Sequence, residues 1–316
     1  MGPTALTALE SLAARTEVVG LVRETPDAAA DPVRAAAERL GVPVTADAAP
    51  AKVEALIASL APDCVVISSY NRILPPAVLA RCPVVNVHYA PLPRYRGRAN
   101  VNWAIINGEP CAAITIHQVV PELDAGPILF QQLIPVRAED TVGDLYARLN
   151  AIQRDRLGET VLLFLGGWPG TPQAAADATY GCTRLPEDGE IEWRSDTAAI
   201  LRLVRGLGPP YPGAFTYLRG RRLRVWRAAA SPAPARYAGR VPGRVVGRSA
   251  PEGWVDVLTG DGVLRLLEVQ ADGEEPRAPA GLIRSIAATL GLSRGELLAR
   301  IEALEREIAR LKGETP

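Results

Sequence analysis

Short runs of valine and isoleucine punctuate the first half of the chain. "EVVGLV" (residues 17–22), "DCVVIS" (63–68) and "PVVNVH" (83–88) are bounded by polar or proline signals, as strands buried in a parallel sheet are. Between them "DPVRAAAERLG" and "AKVEALIASLAP" show the apolar spacing of amphipathic helices. This alternation predicts an α/β layer fold with a doubly wound, mostly parallel sheet. A longer helical pattern from Val142 to Leu165 closes the unit, and "GGWPGTPQ" (166–173) reads as a linker. The pattern then changes. "EIEW", "GAFTYLRGRRLRVWRA", "GRVVGR" and "GWVDVLTGDGVLRLLEVQ" are short strands broken by glycine turns, which predict a small antiparallel β-barrel. In the tail, Leu297, Ile301, Leu304, Ile308 and Leu311 recur at spacings of four and three among Glu302, Glu305, Arg306, Glu307 and Arg310. That stripe suits a short coiled coil, hence a homodimer joined by the C-terminal helix, with docking on its own barrel as the alternative. The expected division is an α/β domain over 1–172, a barrel over 173–280 and a helical tail over 281–316.

Composition narrows the class. With 316 residues, 48% of them hydrophobic, the chain can bury cores for two domains. No apolar segment approaches the roughly 20 residues that cross a bilayer, and the N-terminus lacks the features of a secretory signal, so a cytoplasmic protein with no membrane partner is expected. Cys64, Cys82, Cys111 and Cys182 are scattered singly, which suggests neither a zinc site nor a disulfide framework. Neither a P-loop nor a G-x-G-x-x-G is visible, which argues against nucleotide hydrolysis and hydride transfer. Positive and negative side chains balance, yet Thr197–Ala250 holds 11 Arg and no Asp or Glu. Such a face can hold tRNA phosphates or simply be a solvated barrel surface.

Candidate chemistry gathers around the third apolar run. Residues two apart on a strand face the same side, so Asn86 and His88 project together from its carboxyl end, where ligands bind in open α/β sheets. As an isolated pair they read more readily as a satisfied structural Asn and His. Two neighbouring segments change that reading: "PLPRYRGR" supplies Arg94, Arg96 and Arg98 beside a rigid turn, and "PELDAGPILF" offers one carboxylate, Asp124, before another apolar strand.

Together these elements resemble the enzymes that move a formyl group from 10-formyltetrahydrofolate to an amine. The family pattern of Asn-x-His, Leu-Pro, Arg-Gly and Asp-x-Gly stands here as Asn86 and His88, Leu92-Pro93, Arg96-Gly97 and Asp124-Ala125-Gly126. Farther on, "PEDGEIEW" and "PYPGAFTY" look like the C-terminal barrel of methionyl-tRNA and aminosugar formyltransferases, and the likeness runs to about Gln270. The resemblance implies 10-formyltetrahydrofolate as co-substrate, no metal, and a folate lying against Tyr70, Asn71 and Arg72, with Arg98 and the loop Val120, Pro121, Glu122, Leu123 and Asp124 completing the site. The residue types suit that chemistry. Attack of an amine on a formyl carbon develops an oxyanion, which needs a fixed donor such as the Asn86 amide. The attacking nitrogen must lose a proton, which imidazole takes well near neutrality, giving His88 its role. A neighbouring carboxylate, Asp124, stabilises the imidazolium and raises the histidine pKa. The other histidine, His117, reads as structural, and Trp103 as helix packing rather than a cofactor platform.

The acceptor is a choice between classes. The tRNA-directed members carry a basic insertion soon after the second strand, whereas "VRETPDAAADPVRAAAERLGVP" is as acidic as it is basic. "YRGRANVNWAIINGE" and "LDAG" are closer to enzymes that formylate amino sugars on nucleotide carriers. A small-molecule amine is therefore favoured, with methionyl-tRNA as the alternative. The chain opens at "MGPTALTALESL", within the turn that follows the family's first strand. That central strand is expected to be missing, through either a start assigned too late or a degenerate domain kept only for binding, and restoring it is expected to stabilise the fold.

Overall fold

The computed structural model describes residues 2–25, 30–70, 72–98, 100–292 and 294–312. Two compact units divide the chain, Met1–Arg184 and Leu185–Pro316.

The first unit runs α1 (Gly2–Ala13), β1 (Leu21–Val22), α2 (Pro32–Arg39), β2 (Val44–Thr45), α3 (Pro50–Leu60), β3 (Val65–Ser68), α4 (Pro76–Arg81) and β4 (Val84–His88). It continues through β5 (Arg96–Gly97), α5 (Asn100–Ile106), β6 (Cys111–Gln118), β7 (Ile128–Pro135), α6 (Val142–Leu165) and β8 (Tyr180–Gly181). Local chemistry sets the helix starts. Asp31 accepts a hydrogen bond from the N–H of Val33, with Pro32 at the first helical position. Thr141 and Asp144 form a reciprocal capping box at the head of α6.

Four strands make a mixed sheet in the order β3-β4-β6-β7. The pair β3–β4 is parallel, with Ile67 opposite Asn86 and Ser68 opposite Val87, while β6 runs antiparallel to both β4 and β7. The short connection between β6 and β7 dictates their pairing, because a parallel neighbour needs a crossover of a dozen residues or more. Flanked on both sides, β4 buries Val84, Val85 and Val87.

A second, two-stranded parallel sheet, β1–β2, stands apart from these four. Of the expected strand 17–22 only Leu21–Val22 forms. A cavity of about 1060 Å³ lies between β1 and β3, lined among others by Leu9, Val18, Val22, Ile57, Val66 and Leu162. Among the described residues no strand pairs with the cavity-facing edge of either. The N–H groups of Leu21 and Arg23 donate to Pro43 and Thr45, and that of Val65 donates to Pro83. Alternate residues of a parallel strand turn both backbone groups to the same side, so those of Val22 and Val66 face the cavity. The gap thus separates the two sheets.

Helix α6 packs along α1, and contact is close enough that a Cβ on Gly158 would sit 2.4 Å from the Ser11 carbonyl oxygen. Residues expected to form a linker instead belong to this unit: Thr171 exchanges two backbone hydrogen bonds with Ile128, and β8 pairs with β5. The boundary therefore falls after Arg184.

The second unit holds α7 (Thr197–Gly206), β9 (Ala214–Leu218), β10 (Arg221–Ala230), β11 (Val245–Arg248), β12 (Val255–Leu258), β13 (Val263–Ala271) and α8 (Arg294–Lys312). Its antiparallel sheet has the order β11-β12-β13-β10-β9. Residues 288–291 close it: Val245 donates to Ala288, Leu290 to Gly243, and Gly291 to Tyr217, so one segment satisfies both outer edges. "EIEW" forms no strand of the sheet but buries Trp193, whose indole N–H donates to Thr216 Oγ1 at 2.9 Å. The apolar stripe of α8 is not docked on the barrel, since Leu297, Ile301, Leu304, Ile308 and Leu311 are all exposed. Among the described residues no helix is long and apolar enough to cross a membrane.

Candidate active site

Asn86 and His88 leave the same face of β4, and the polypeptide carries Asp124 back to meet them. The β6–β7 connection can lie against the end of β6 only because residue 126 is glycine; a Cβ there would stand 1.9 Å from the Gln118 carbonyl oxygen. Asp124 itself takes a left-handed conformation, φ 47°, which aspartate tolerates better than most residues. Gln173 latches the turn by donating to the carbonyls of Asp124 (2.8 Å) and Gly126 (2.7 Å). Its side-chain oxygen in turn accepts from the buried Arg96 guanidinium at 2.8 Å.

The Asp124 carboxylate then joins four groups. Oδ2 accepts from the Gly97 N–H at 2.9 Å and lies 3.6 Å from His88 Nδ1. Oδ1 lies 3.4 Å from Asn86 Nδ2 and 3.5 Å from His117 Nε2. Gly97 has φ 96°, so the Arg-Gly step supplies a backbone conformation as well as a donor. Burial pushes the Asp124 carboxyl upward, but the neighbouring His88 and the Gly97 N–H help to hold it below the usual carboxylate range. It is ionised throughout the physiological range.

His88 is buried, and burial lowers its pKa below 6.5 despite the Asp124 charge and the Tyr95 carbonyl, which raise it. This reverses the expected direction: desolvation of the imidazolium outweighs the carboxylate. Its Nε2 lies 2.8 Å from the Tyr95 carbonyl oxygen and 3.0 Å from Asn100 Nδ2. The carbonyl can only accept, so at the shorter contact Nε2–H donates, and Nδ1 keeps the lone pair on the side of Asp124. A proton arriving at Nδ1 finds that carboxylate waiting. The site holds a neutral base with an anion beside it and an amide donor within reach, the parts needed to deprotonate a nucleophile while stabilising negative charge on oxygen.

Of the residues expected to hold a folate, Asn71 lies outside the described residues. Tyr70 lies two residues past the end of β3, the strand next to β4, and its hydroxyl donates to the Ala48 carbonyl at 3.1 Å. Arg72 pairs with Glu24 at 2.7 Å, and Arg98 is exposed. In the loop, Pro121, Glu122 and Leu123 are exposed and Val120 is half-buried. Sequence reasoning left out Tyr95, Asn100, Gln173 and above all His117, which reaches both Asn86 and Asp124. One signal for His117 was present: Thr115 and His117, two apart, are polar in the otherwise apolar "AAITIH".

Residues 8–161 match the family model for formyl transferase, and residues 185–286 match that for the formyl transferase C-terminal domain. Among solved structures the fold is similar to that of HypX from Aquifex aeolicus in complex with tetrahydrofolic acid, with a TM-score of 0.62 at 19% identity over 84% of this chain and 46% of that one. It is also similar to methionyl-tRNA formyltransferase from Clostridium thermocellum, with a TM-score of 0.54 at 20% identity over 67% of this chain and 92% of that one. A Mycobacterium tuberculosis protein described as a sugar N-formyltransferase matches with a TM-score of 0.50 at 23% identity, over 62% of this chain and 91% of that one. This chain spans about half the length of the HypX structures that it matches.

Proposed function

This chain belongs to the formyl transferase family, and from that premise we propose that it is a formyl-transferring enzyme in which 10-formyltetrahydrofolate donates the formyl group to a small-molecule primary amine. One observation carries the reading: Asn86, His88 and Asp124 converge, with one amide hydrogen of Asn86 held only loosely by a carboxylate oxygen 3.4 Å away. His88 Nδ1 takes the proton of the attacking amine, and the imidazolium then has an acceptor on each nitrogen, Asp124 on one side and the Tyr95 carbonyl on the other. Asn86 donates to the formyl oxygen as the carbonyl electron pair moves onto it. When the bond from the formyl carbon to the folate nitrogen breaks, His88 returns its proton to that nitrogen. The folate is assigned to Tyr70, Asn71, Arg72, Arg98 and the loop 120–124, and the reaction uses no metal.

A nucleotide-linked amino sugar or an amino-acid derivative is the favoured acceptor. The arginine-rich, acid-free segment Thr197–Ala250 supports methionyl-tRNA as the second reading. Competition among a nucleotide-linked amino sugar, hydroxyornithine and methionyl-tRNA for a labelled formyl donor decides between them. Label should go to a small amine; strong, salt-sensitive labelling of the tRNA would reverse the order. Four unpaired cysteines, one of them exposed, suit a cytoplasmic enzyme. The exposed stripe of α8 is assigned to a homodimer, so removing residues 295–316 should leave an active monomer by light scattering, whereas a truncated protein that stayed dimeric would exclude the helix as the joint.

A further inference from the structure

His117 is 1% exposed, yet both its ring nitrogens meet polar groups. Nδ1 lies 2.9 Å from the Gln118 carbonyl oxygen. A carbonyl only accepts, so Nδ1 carries a hydrogen. Nε2 lies 3.2 Å from Asn86 Nδ2, a group that only donates, so Nε2 presents its lone pair. A proton on Nε2 would face the more distant Asp124 Oδ1 at 3.5 Å but would oppose the Asn86 amide head-on. The contacts therefore select the neutral Nδ1–H tautomer. Antiparallel pairing sets Asn86 directly opposite His117, so the two side chains meet across the β4–β6 ladder. Gly126 packs against the same Gln118 carbonyl, and the ring and the Asp124 turn thus share one anchor.

The Asn86 amide has two hydrogens on one nitrogen. His117 takes one at 3.2 Å, and the other is left to Asp124 at 3.4 Å. From this geometry we infer that His117 is a positioning residue for formyl transfer: as the Nδ1–H tautomer it fixes one amide hydrogen of Asn86 and thereby aims the other at the developing oxyanion. The inference deepens the function proposed above and rests on the donor role given there to Asn86. It explains why an apolar strand buries an imidazole at the position facing Asn86, since an aliphatic side chain there would leave the amide held only by its 3.4 Å contact with Asp124.

Two measurements on the full chain test it. Histidine ¹⁵N labelling reads the tautomer of His117 with no substrate present; Nδ1 protonated and Nε2 bare is expected, with the Nε2 resonance moving in Asn86→Ala. A proton resident on Nε2 overturns the inference. Kinetics use 10-formyltetrahydrofolate with whichever probe amine of the competition assay accepts label. His117→Ala should lower kcat by roughly 10- to 100-fold, since misplacing a reacting group by about 1 Å can cost about 10²-fold, while KM for the folate stays within about twofold. His117→Gln, whose side-chain oxygen can accept the same amide hydrogen, should recover most of the rate and serves where the alanine variant fails to fold. In an Asn86→Ala background the loss of His117 should cost no more than about twofold, because the two residues act as one unit. Equal losses in both backgrounds overturn the positioning role. A fully active Asn86→Ala enzyme would overturn the donor role as well, and the ¹⁵N tautomer distinguishes that failure from one confined to His117.

Discussion

The two ends of the first unit's sheet are built from similar valine-rich segments and come out unlike. Around β4 and β6 every strand has neighbours, Val85, Ile114 and Ile116 are fully buried, and the polar residues of the site bond one another. Around β1 and β2 the strands are two residues long, and the edges of β1 and β3 look across a cavity of about 1060 Å³. Apolar patterning was alike in both; the supply of partners was not. A strand is stabilised by its ladder and by packing on both faces, so "VVNVH" between β3 and β6 holds five residues in register while "EVVGLV" beside an open edge keeps two. The difference also places function. Convergence of Asn86, His88 and Asp124 needs side chains held to within about half an ångström, and the closed end supplies that rigidity.

Perturbing the closed end should give the largest effect. Asp124→Asn keeps the shape of the side chain and removes the charge that meets the protonated His88, so transfer should fall by roughly 10²–10⁴, the usual span for a lost acid–base contribution. Steady-state rates with the folded variant check this; a loss under tenfold would detach Asp124 from the chemistry. At the open end the effect should be on stability. An extended apolar strand fused ahead of α1, so that it can lie between β1 and β3, would pair both edges and bury side chains worth about 1.5–3 kcal/mol each. The thermal midpoint should rise by at least about 5 °C, because 1 kcal/mol shifts a unit of this size by roughly 2–4 °C. An unchanged midpoint would mean the gap is closed in some other way. The smallest effect is a shift in pH dependence. Burial lowers the His88 pKa, and the neutral form is the base, so activity should rise with pH through a midpoint below the ordinary 6.5. An acid limb of kcat/KM centred above that value would mean the carboxylate outweighs burial after all.

How much of this was legible in the sequence depends on the range over which each feature is set. The spans of α2, α3 and α6 were readable because helical periodicity is local, and the facing of Asn86 and His88 because strand period is two. Asp124 was found through its motif, but the reason it reaches His88 lies in Gly126 against Gln118 and in Gln173, which latches the turn from 49 residues away. His117 was read as structural because a lone histidine on an apolar strand usually is; its opposition to Asn86 comes from the β4–β6 register, which no local pattern encodes. The direction of the His88 shift was missed for a related reason. The carboxylate partner was visible in the sequence, whereas the depth of burial depends on what packs above the strand.

Everything turns on the closed end being a formyl-transfer site, and the most direct measurement tracks the formyl carbon itself. The protein is mixed with formyl-labelled 10-formyltetrahydrofolate and the amine panel, and wild type is compared with Asn86→Ala and His88→Ala. The expected result is label on an amine with tetrahydrofolate released in equal amount by the wild type, and transfer reduced by at least about 10²–10³ in each variant, the cost of a lost oxyanion donor, with both variants still folded. Label that stays on the folate with every acceptor, or transfer at an undiminished rate in either variant, would contradict it.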